Sequence, residues 1–249
     1  MTRAFCVAAL LAVAAPLSAQ RGPAASTSKL SPDVLALACA PAIASAAPQM
    51  PLHITGGQDA FVRRNYAPGD LVTINAGMQN GITIGQEFFI RRVQEDRMSV
   101  SHTSPGMIRT AGWLRVYAVD EAMSLATIEH ACDTIEVGDY LEPFVLPQMP
   151  ALSNDKPKAE RDNYARVMAG ADRRRSFGKG DFFTIGRGSS QGISTGTQFV
   201  VYRDMHKAQN FLFELGEAVA VDVRQDTSTL QVTFSRDALT EGDYVAQRK

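Results

Sequence analysis

The chain has 249 residues, of which 45% are hydrophobic and 20% are charged, and its formal net charge is −1. This length allows one or two ordinary domains, and the composition excludes a disordered or low-complexity protein. The near-neutral charge gives no reason to expect nucleic acid or an anionic membrane surface as a partner.

The first nineteen residues have the order of a secretory signal peptide. Arg3 supplies a positive charge, residues 4–15 form an unbroken apolar run, and Pro16-Leu17-Ser18-Ala19 adds a turn former and small residues. The run is shorter than the roughly 20 residues that span a bilayer, and no later run is longer. We therefore expect residues 1–19 to be removed and the protein to be exported, periplasmic or secreted, with no transmembrane segment in the mature chain. A core helix at the N-terminus is the alternative, but the run has no amphipathic period.

Residues 20–50 are rich in Ala, Pro and Ser. This composition predicts an extended or loosely docked leader, with one helical turn after Ser31 and Pro32. Cys39 lies in this leader, and Cys132 is the other cysteine that remains once the signal peptide is removed. An even pair of cysteines in an oxidising compartment predicts a disulfide that ties the leader to the first module, and two buried free thiols are the alternative.

The chain contains an internal repeat. Residues 69–92 match residues 180–203 at ten of 24 positions with a constant offset of 111, and residues 112–140 match 216–244 at an offset of 104. Each copy reads as short strands rich in β-formers, broken by glycine turns, and ends on Gly-Asp-Tyr. About five strands in each copy predict two tandem small β-barrels or sandwiches, at residues 51–146 and 177–249.

Residues 147–176 separate the two copies. Prolines punctuate this stretch, large apolar residues are few, and basic residues alternate with acids and small residues. The composition predicts a charged linker, with a short helix around Glu160 to Ala169.

Glycines and aspartates recur at matching positions of the two copies, and we interpret them as turn residues. Glycine at a tight turn supplies a positive φ or a close backbone approach, and an aspartate after glycine accepts backbone N–H bonds. The glycine spacing does not indicate a phosphate-binding loop, because no Lys-Ser or Lys-Thr follows the last glycine. A catalytic carboxylate pair is the alternative for the aspartates. The set comprises Gly69, Asp70, Gly77, Gly81, Gly85, Gly138, Asp139, Gly180, Asp181, Gly188, Gly192, Gly196, Gly242 and Asp243.

His130, Cys132 and Asp133 form the densest group of ligand-type residues. On a strand, His130 and Cys132 would point to the same face and supply half of a metal site. No second half with metal-ligand spacing is visible, because His53, His102 and His206 stand alone. The sequence also contains no nucleophile elbow and no recognisable Ser/His/Asp arrangement. We therefore predict no metal, no cofactor and no catalytic residues.

The repeated pattern resembles a known kind of envelope module. Gly-Asp, a strand, Gly-x-x-x-Gly-Ile-x-x-Gly-x-x-Phe, a second strand, Gly-x-x-x-Val and a closing Gly-Asp-Tyr are similar to the C-terminal β domain of flagellar assembly protein T. Similar modules accompany LysM domains in secreted bacterial proteins. The resemblance covers about 69–144 and 178–249, and it implies an envelope address and a binding or scaffolding role. This chain has no LysM domain, so neither a flagellar role nor glycan binding carries over.

These features predict an exported structural or protein-interaction module of the cell envelope, which is not an enzyme. The expected partner is another envelope protein or the cell wall. It would bind in the groove between the modules or at the loops that differ between them, Val93 to Ala111 and Asp204 to Leu215. A carbohydrate- or peptidoglycan-binding module is the first alternative, and it would need grouped exposed aromatics. An enzyme with His130 and Asp133 in a deep pocket is the second. The candidate aromatics are Trp113, Tyr117, Tyr140, Tyr202 and Tyr244.

Overall fold

Two small β-barrels follow one another along the chain, which confirms the predicted all-β class. The structure is a computed structural model, and Ser31–Lys249 form one compact unit within it. The predicted signal sequence, most of the predicted leader and the tips of both variable loops lie outside the described residues. The structure describes residues 30–43, 52–59, 63–94, 107–151, 153–160, 162–170, 176–204 and 211–249.

A short segment before the first barrel carries helix α1 (Pro32–Ala38). Ser31 caps it, since the Ser31 side chain accepts a 3.4 Å hydrogen bond from the Val34 backbone N–H, and Pro32 fits the first turn because no intrahelical bond is required there. The helix begins where the sequence predicted a helical turn. This part of the leader is not loosely docked, because Leu37, Ala38, Ala40, Ala42 and Ile43 are all buried.

The first barrel is a curled antiparallel sheet. Its order is β2-β4-β7-β6-β5-β9, β1 adds to β6, and β3 pairs with β8. The two ends of the sheet are joined by three backbone hydrogen bonds between residues 52–54 and 138–141, with lengths of 2.8–3.0 Å. The strands are β1 (Ala42–Ile43), β2 (Ile54–Gly57), β3 (Asn65–Tyr66), β4 (Leu71–Ile74), β5 (Glu87–Gln94), β6 (Met107–Val119), β7 (Ser124–Ala131), β8 (Ile135–Glu136) and β9 (Tyr140–Pro143).

The second barrel closes completely, in the order β10-β12-β15-β14-β13-β17, and β11 pairs with β16. Closure leaves no unpaired edge in the barrel, which removes a site of unwanted strand pairing. The strands are β10 (Ala165–Gly170), β11 (Ser176–Phe177), β12 (Phe182–Ile185), β13 (Gln198–Asp204), β14 (Leu212–Val223), β15 (Ser228–Ser235), β16 (Leu239–Thr240) and β17 (Tyr244–Gln247).

Each barrel has its own apolar interior, built by the alternation of side chains along the strands. In β5, Phe88 and Ile90 point into the first barrel, so Phe89 and Arg91 share its outer face. In the second barrel, Phe183, Ile185, Phe199, Val201 and Leu230 fill the equivalent space. The outer faces are therefore where a partner or another segment of the chain has to bind.

One predicted element is wrong. Residues 165–170 form strand β10 and not a linker helix, because Val167 is 2% exposed in the interior of the second barrel and β10 pairs with β12 and β17. The second barrel therefore has six strands and the first sheet has seven, where the sequence predicted about five in each copy. The preceding linker residues also rest on the second barrel, where Lys156 pairs with Glu217 at 2.6 Å.

Candidate functional site: the cleft between the barrels

Residues Ser31–Ile43, here called the strap, lie between the two barrels and bond to both. On the side of the first barrel, Cys39 forms the predicted disulfide with Cys132, with 5.6 Å between the two Cα atoms. Strand β1 pairs with the start of β6, and the Thr110 hydroxyl donates to the Ala40 carbonyl at 3.3 Å. The prediction of a disulfide between the leader and the first module is thereby confirmed.

On the side of the second barrel, two threonine hydroxyls hold the strap backbone. Thr227 donates to the Ile43 carbonyl and Thr229 donates to the Pro41 carbonyl, each at 2.9 Å and buried. Leu37 and Ala40 also pack in one apolar cluster with residues on the outer face of this barrel, namely Phe182, Val219 and Val221. The strap thus replaces solvent on both outer faces and fixes one barrel against the other.

A cavity of about 480 Å³ lies between the strap, the two barrels and the segment after β9. We call it the cleft. Its walls are mixed, because Phe89, Val221 and strap residues supply apolar surface while four charged side chains face the same space. Val145 and Leu146 lie at its edge and are 73% and 41% exposed. Among the described residues that line the cleft there is no histidine and no cysteine.

The four charged residues of the cleft, here the charged quartet, form two ion pairs. Arg91 on β5 lies beside Glu142 on β9, with 3.3 Å between Nε and Oε2. Arg224 follows β14 and lies beside Asp222, with 3.6 Å between Nε and Oδ2. In the described structure, both Nε atoms are buried and neither donates a hydrogen bond, and at Arg224 the 3.6 Å separation from Asp222 is too long for one. Because both Nε atoms are covered, an acceptor in the cleft would meet the rest of the Arg224 guanidinium, whose side chain is 33% exposed.

Arg91 is the most deeply buried member of the quartet, with only 9% of its surface exposed. Its guanidinium lies 4.3 Å from the centre of the Phe89 ring and donates to the Thr110 hydroxyl. Burial lowers the pKa of Arg91 and the nearby Arg224 acts in the same direction, while Glu142 opposes both. Burial raises the pKa of the neighbouring Tyr140, because it disfavours the charged phenolate. Glu142, the Thr110 hydroxyl and the Phe89 ring offset the cost of burying the Arg91 guanidinium.

Sequence reasoning did not select Arg91 or Arg224, since charged residues on strands are ordinary. One signal was present, because Arg91 shares the outer face of β5 with an aromatic neighbour. A shared strand face does not show whether another segment of the chain covers that face.

A second, smaller cavity of about 240 Å³ adjoins the disulfide and is lined in part by Cys39, Cys132 and Asp133. Asp133 pairs with Arg109 at 2.8 Å. His130 is not part of this lining. Its ring stacks on Trp113 with 4.5 Å between ring centres, and burial lowers its pKa. The two polar residues of the enzyme hypothesis therefore do not converge on one cavity.

The aromatics of the carbohydrate hypothesis are not grouped on an exposed face. Trp113, Tyr140 and Tyr202 are 8%, 2% and 4% exposed, and Tyr244 is half-buried. Tyr117 alone among the five is well exposed, at 66%.

Of the two variable loops, residues 95–106 and 205–210 lie outside the described part of the chain, as do His102 and His206.

The repeated turn residues make the same contacts in both barrels. Each aspartate side chain accepts a backbone N–H bond from the residue three positions earlier, at 2.7–2.9 Å. Gly77 and Gly188 sit where a Cβ would come within 2.2 and 2.1 Å of a carbonyl oxygen. The remaining eight glycines have φ between 77° and 93°, a region that side chains disfavour. The eight are Gly69, Gly81, Gly85, Gly138, Gly180, Gly192, Gly196 and Gly242, and the aspartates are Asp70, Asp139, Asp181 and Asp243.

Asp139 and Asp243 are also clamped by arginines from the neighbouring strand. Arg92 donates to both oxygens of Asp139 at 2.6 and 2.8 Å, and Arg203 does the same for Asp243 at 2.8 and 2.7 Å. The hydrogen bonds to these carboxylates raise the pKa of both arginines. These carboxylates fasten turns within a barrel, and they do not face each other as a catalytic pair would.

No model of a known protein family matches the chain, and no curated protein sequence is similar to it. A helix of the length and apolar character that membrane spanning requires is not found among the described residues.

Proposed function

We propose that this chain is an exported protein of the cell envelope that binds a segment of another envelope protein in the cleft and catalyses no reaction. The observation that carries the proposal is the partly exposed Arg224 side chain beside an apolar wall, with the exposed Val145 and Leu146 at the edge of the same cleft. An extended segment with apolar side chains fits that wall, and its carbonyl or carboxylate oxygens fit the Arg224 guanidinium.

Export rests on the N-terminal sequence and on the Cys39–Cys132 disulfide, a bond typical of oxidising compartments. The matching turn and clamp contacts of the two barrels support a duplicated envelope module used as a scaffold. A protein partner is favoured over a glycan because Trp113, Tyr140 and Tyr202 are buried and offer no stacking platform.

A site-specific photocrosslinker tests where the partner binds. Placed at Val145, at the edge of the cleft, it should yield one discrete adduct with an envelope protein in living cells. Placed at Met78, which is 64% exposed and outside the cleft lining, it should not.

Arg224→Gln should remove the Val145 adduct. Arg115→Gln should retain it, because Arg115 has similar exposure but pairs with Glu87 and Glu129 outside the cleft. Equal adducts at both positions, or an Arg224→Gln variant that crosslinks normally, would refute binding in the cleft.

Export is tested separately, by osmotic-shock fractionation and intact mass. The mature chain should be released with periplasmic or secreted proteins and begin at Gln20, after cleavage following Ala19. A cytoplasmic chain that keeps Met1 would contradict the proposed location.

A further inference from the structure

The structure places a third side chain of the metal-donor type beside His130 and Cys132. The sulfurs of Cys39 and Cys132 and a ring nitrogen of His130 all lie within 4.8 Å of one another, and all three residues are half-buried. Among the described residues this is the one group of three or more metal-donor side chains that lie this close together. Sequence spacing could not reveal it, because Cys39 is 93 residues from Cys132 and arrives through the strap.

We propose that the reduced chain binds one borderline-soft divalent cation of the zinc class through Cys39, Cys132 and His130. Two thiolates and one imidazole are a donor set that zinc prefers, and a fourth position can be filled by water. Tetrahedral zinc holds such ligands roughly 3.5 Å apart. Rotation about the Cα–Cβ bonds of the two cysteines can reach this spacing once the sulfurs are no longer bonded. This site is separate from the cleft and independent of the function proposed for it.

The surroundings of the three residues favour binding. His130 is held by its stacking on Trp113, and in the described part of the chain neither ring nitrogen has a hydrogen-bond partner. The cavity of about 240 Å³ that borders both cysteines gives room for the fourth ligand and a path for the ion. The strap also stays in place without the disulfide, because β1 pairing and the bonds from Thr227 and Thr229 remain.

The redox step is a thiol–disulfide exchange. A dithiol reductant gives two electrons and two protons to the Cys39–Cys132 bond, which becomes two thiols while the reductant becomes a disulfide. Binding of the cation then releases the two thiol protons, since thiolates are the ligands. Exchange with a small-molecule disulfide reverses the sequence: the two thiolates give up two electrons and form the Cys39–Cys132 bond, the oxidant takes up the electrons and two protons as a dithiol, and the ion is released. The disulfide and the metal site therefore exclude each other.

Titration with Co²⁺ alone, a spectroscopic substitute for zinc, tests the proposal on the mature chain. After reduction and anaerobic removal of the dithiol, the chain should bind one equivalent and show a thiolate-to-cobalt charge-transfer band. The oxidised chain should show neither. His130→Gln should weaken binding by more than about tenfold, because even changes outside the ligand shell cost that much. His53→Gln, which alters a histidine outside the group, should leave the affinity unchanged.

Circular dichroism of the reduced chain completes the test. The proposal requires the β signal to persist without the disulfide, so its loss would count against a preformed site. A reduced chain that stays folded and gives no charge-transfer band overturns the proposal. So does a His130→Gln chain that binds as tightly as the natural one, since two thiolates alone would then account for the ion.

Discussion

Asp243 illustrates how a single turn residue stabilises a barrel. It is 4% exposed, accepts two bonds from Arg203 and accepts a third from the Thr240 backbone N–H at 2.7 Å. Asp243→Ala leaves these donors without their acceptor and should lower the free energy of unfolding by about 1–3 kcal/mol in urea denaturation. Glu214→Ala, on an exposed position of β14, should change it by less than about 0.5 kcal/mol. Equal effects of the two changes would show that the clamp contributes nothing.

Gly188 tests the argument from close backbone approach. A Cβ there would lie 2.1 Å from the Arg224 carbonyl oxygen, which is backbone and cannot move aside freely. Gly188→Ala should therefore destabilise the second barrel by more than about 2 kcal/mol, as measured by thermal unfolding. Gly178→Ala is the matched control, because its Cβ would meet only the Ser235 hydroxyl at 3.8 Å. A Gly188→Ala chain as stable as Gly178→Ala would contradict this reading of the turn.

Asp139 gives a prediction about pH. Burial raises the pKa of the Asp139 carboxyl, and the hydrogen bonds from Arg92 lower it only in part. Because its pKa is raised in the folded state, the Asp139 carboxyl contributes stability at pH values below about 3.9, the ordinary pKa of aspartate. That contribution is lost as the pH rises through the folded-state pKa. Carboxyl ¹³C titration should place the Asp139 midpoint above about 3.9. A midpoint below that value would show that pairing with Arg92 outweighs burial.

At the scale of elements, the strap is joined to the first barrel by a bond that closes a long loop. Cys39 and Cys132 are 93 residues apart. A disulfide that closes a loop of this size stabilises the folded state mainly by restricting the unfolded chain. Cys39→Ser should lower the free energy of unfolding by about 2–4 kcal/mol. Dithiothreitol should lower that of the natural chain by a similar amount and leave Cys39→Ser unchanged. A reductant effect that persists in Cys39→Ser would exclude the disulfide as its cause.

The strands that the sequence predicted are those with strong local signals. β4 and β12 follow Gly-Asp and are rich in β-formers, and the glycine turns fix where β5 and β13 begin. β10 was missed because Ala165–Gly170 has one strong β-former, Val167, and lies among charged and small residues. Its strand form comes from pairing with β12 and β17, which are distant in sequence. Local propensity cannot report such pairing.

At the scale of the whole molecule, the groove between the modules was predicted as a binding surface, but its chemistry was not. Alternation along β5 places Arg91 on the outer face, where a charged residue ordinarily meets solvent. Arg91 is buried because the strap and the second barrel cover that face. No local sequence pattern indicates that they do. The disulfide was predictable in kind from the cysteine count, whereas the neighbouring His130 nitrogen depends on how Trp113 packs against it.

The cleft exists as a site only if the strap holds the two barrels as one body. Residual dipolar couplings of the backbone amides of the oxidised mature chain test this most directly, because each barrel reports its own alignment tensor. We expect one common tensor, in both magnitude and orientation, for the strands of the first barrel and those of the second. Two different tensors would mean that the barrels reorient independently, and the cleft would then not exist as a site.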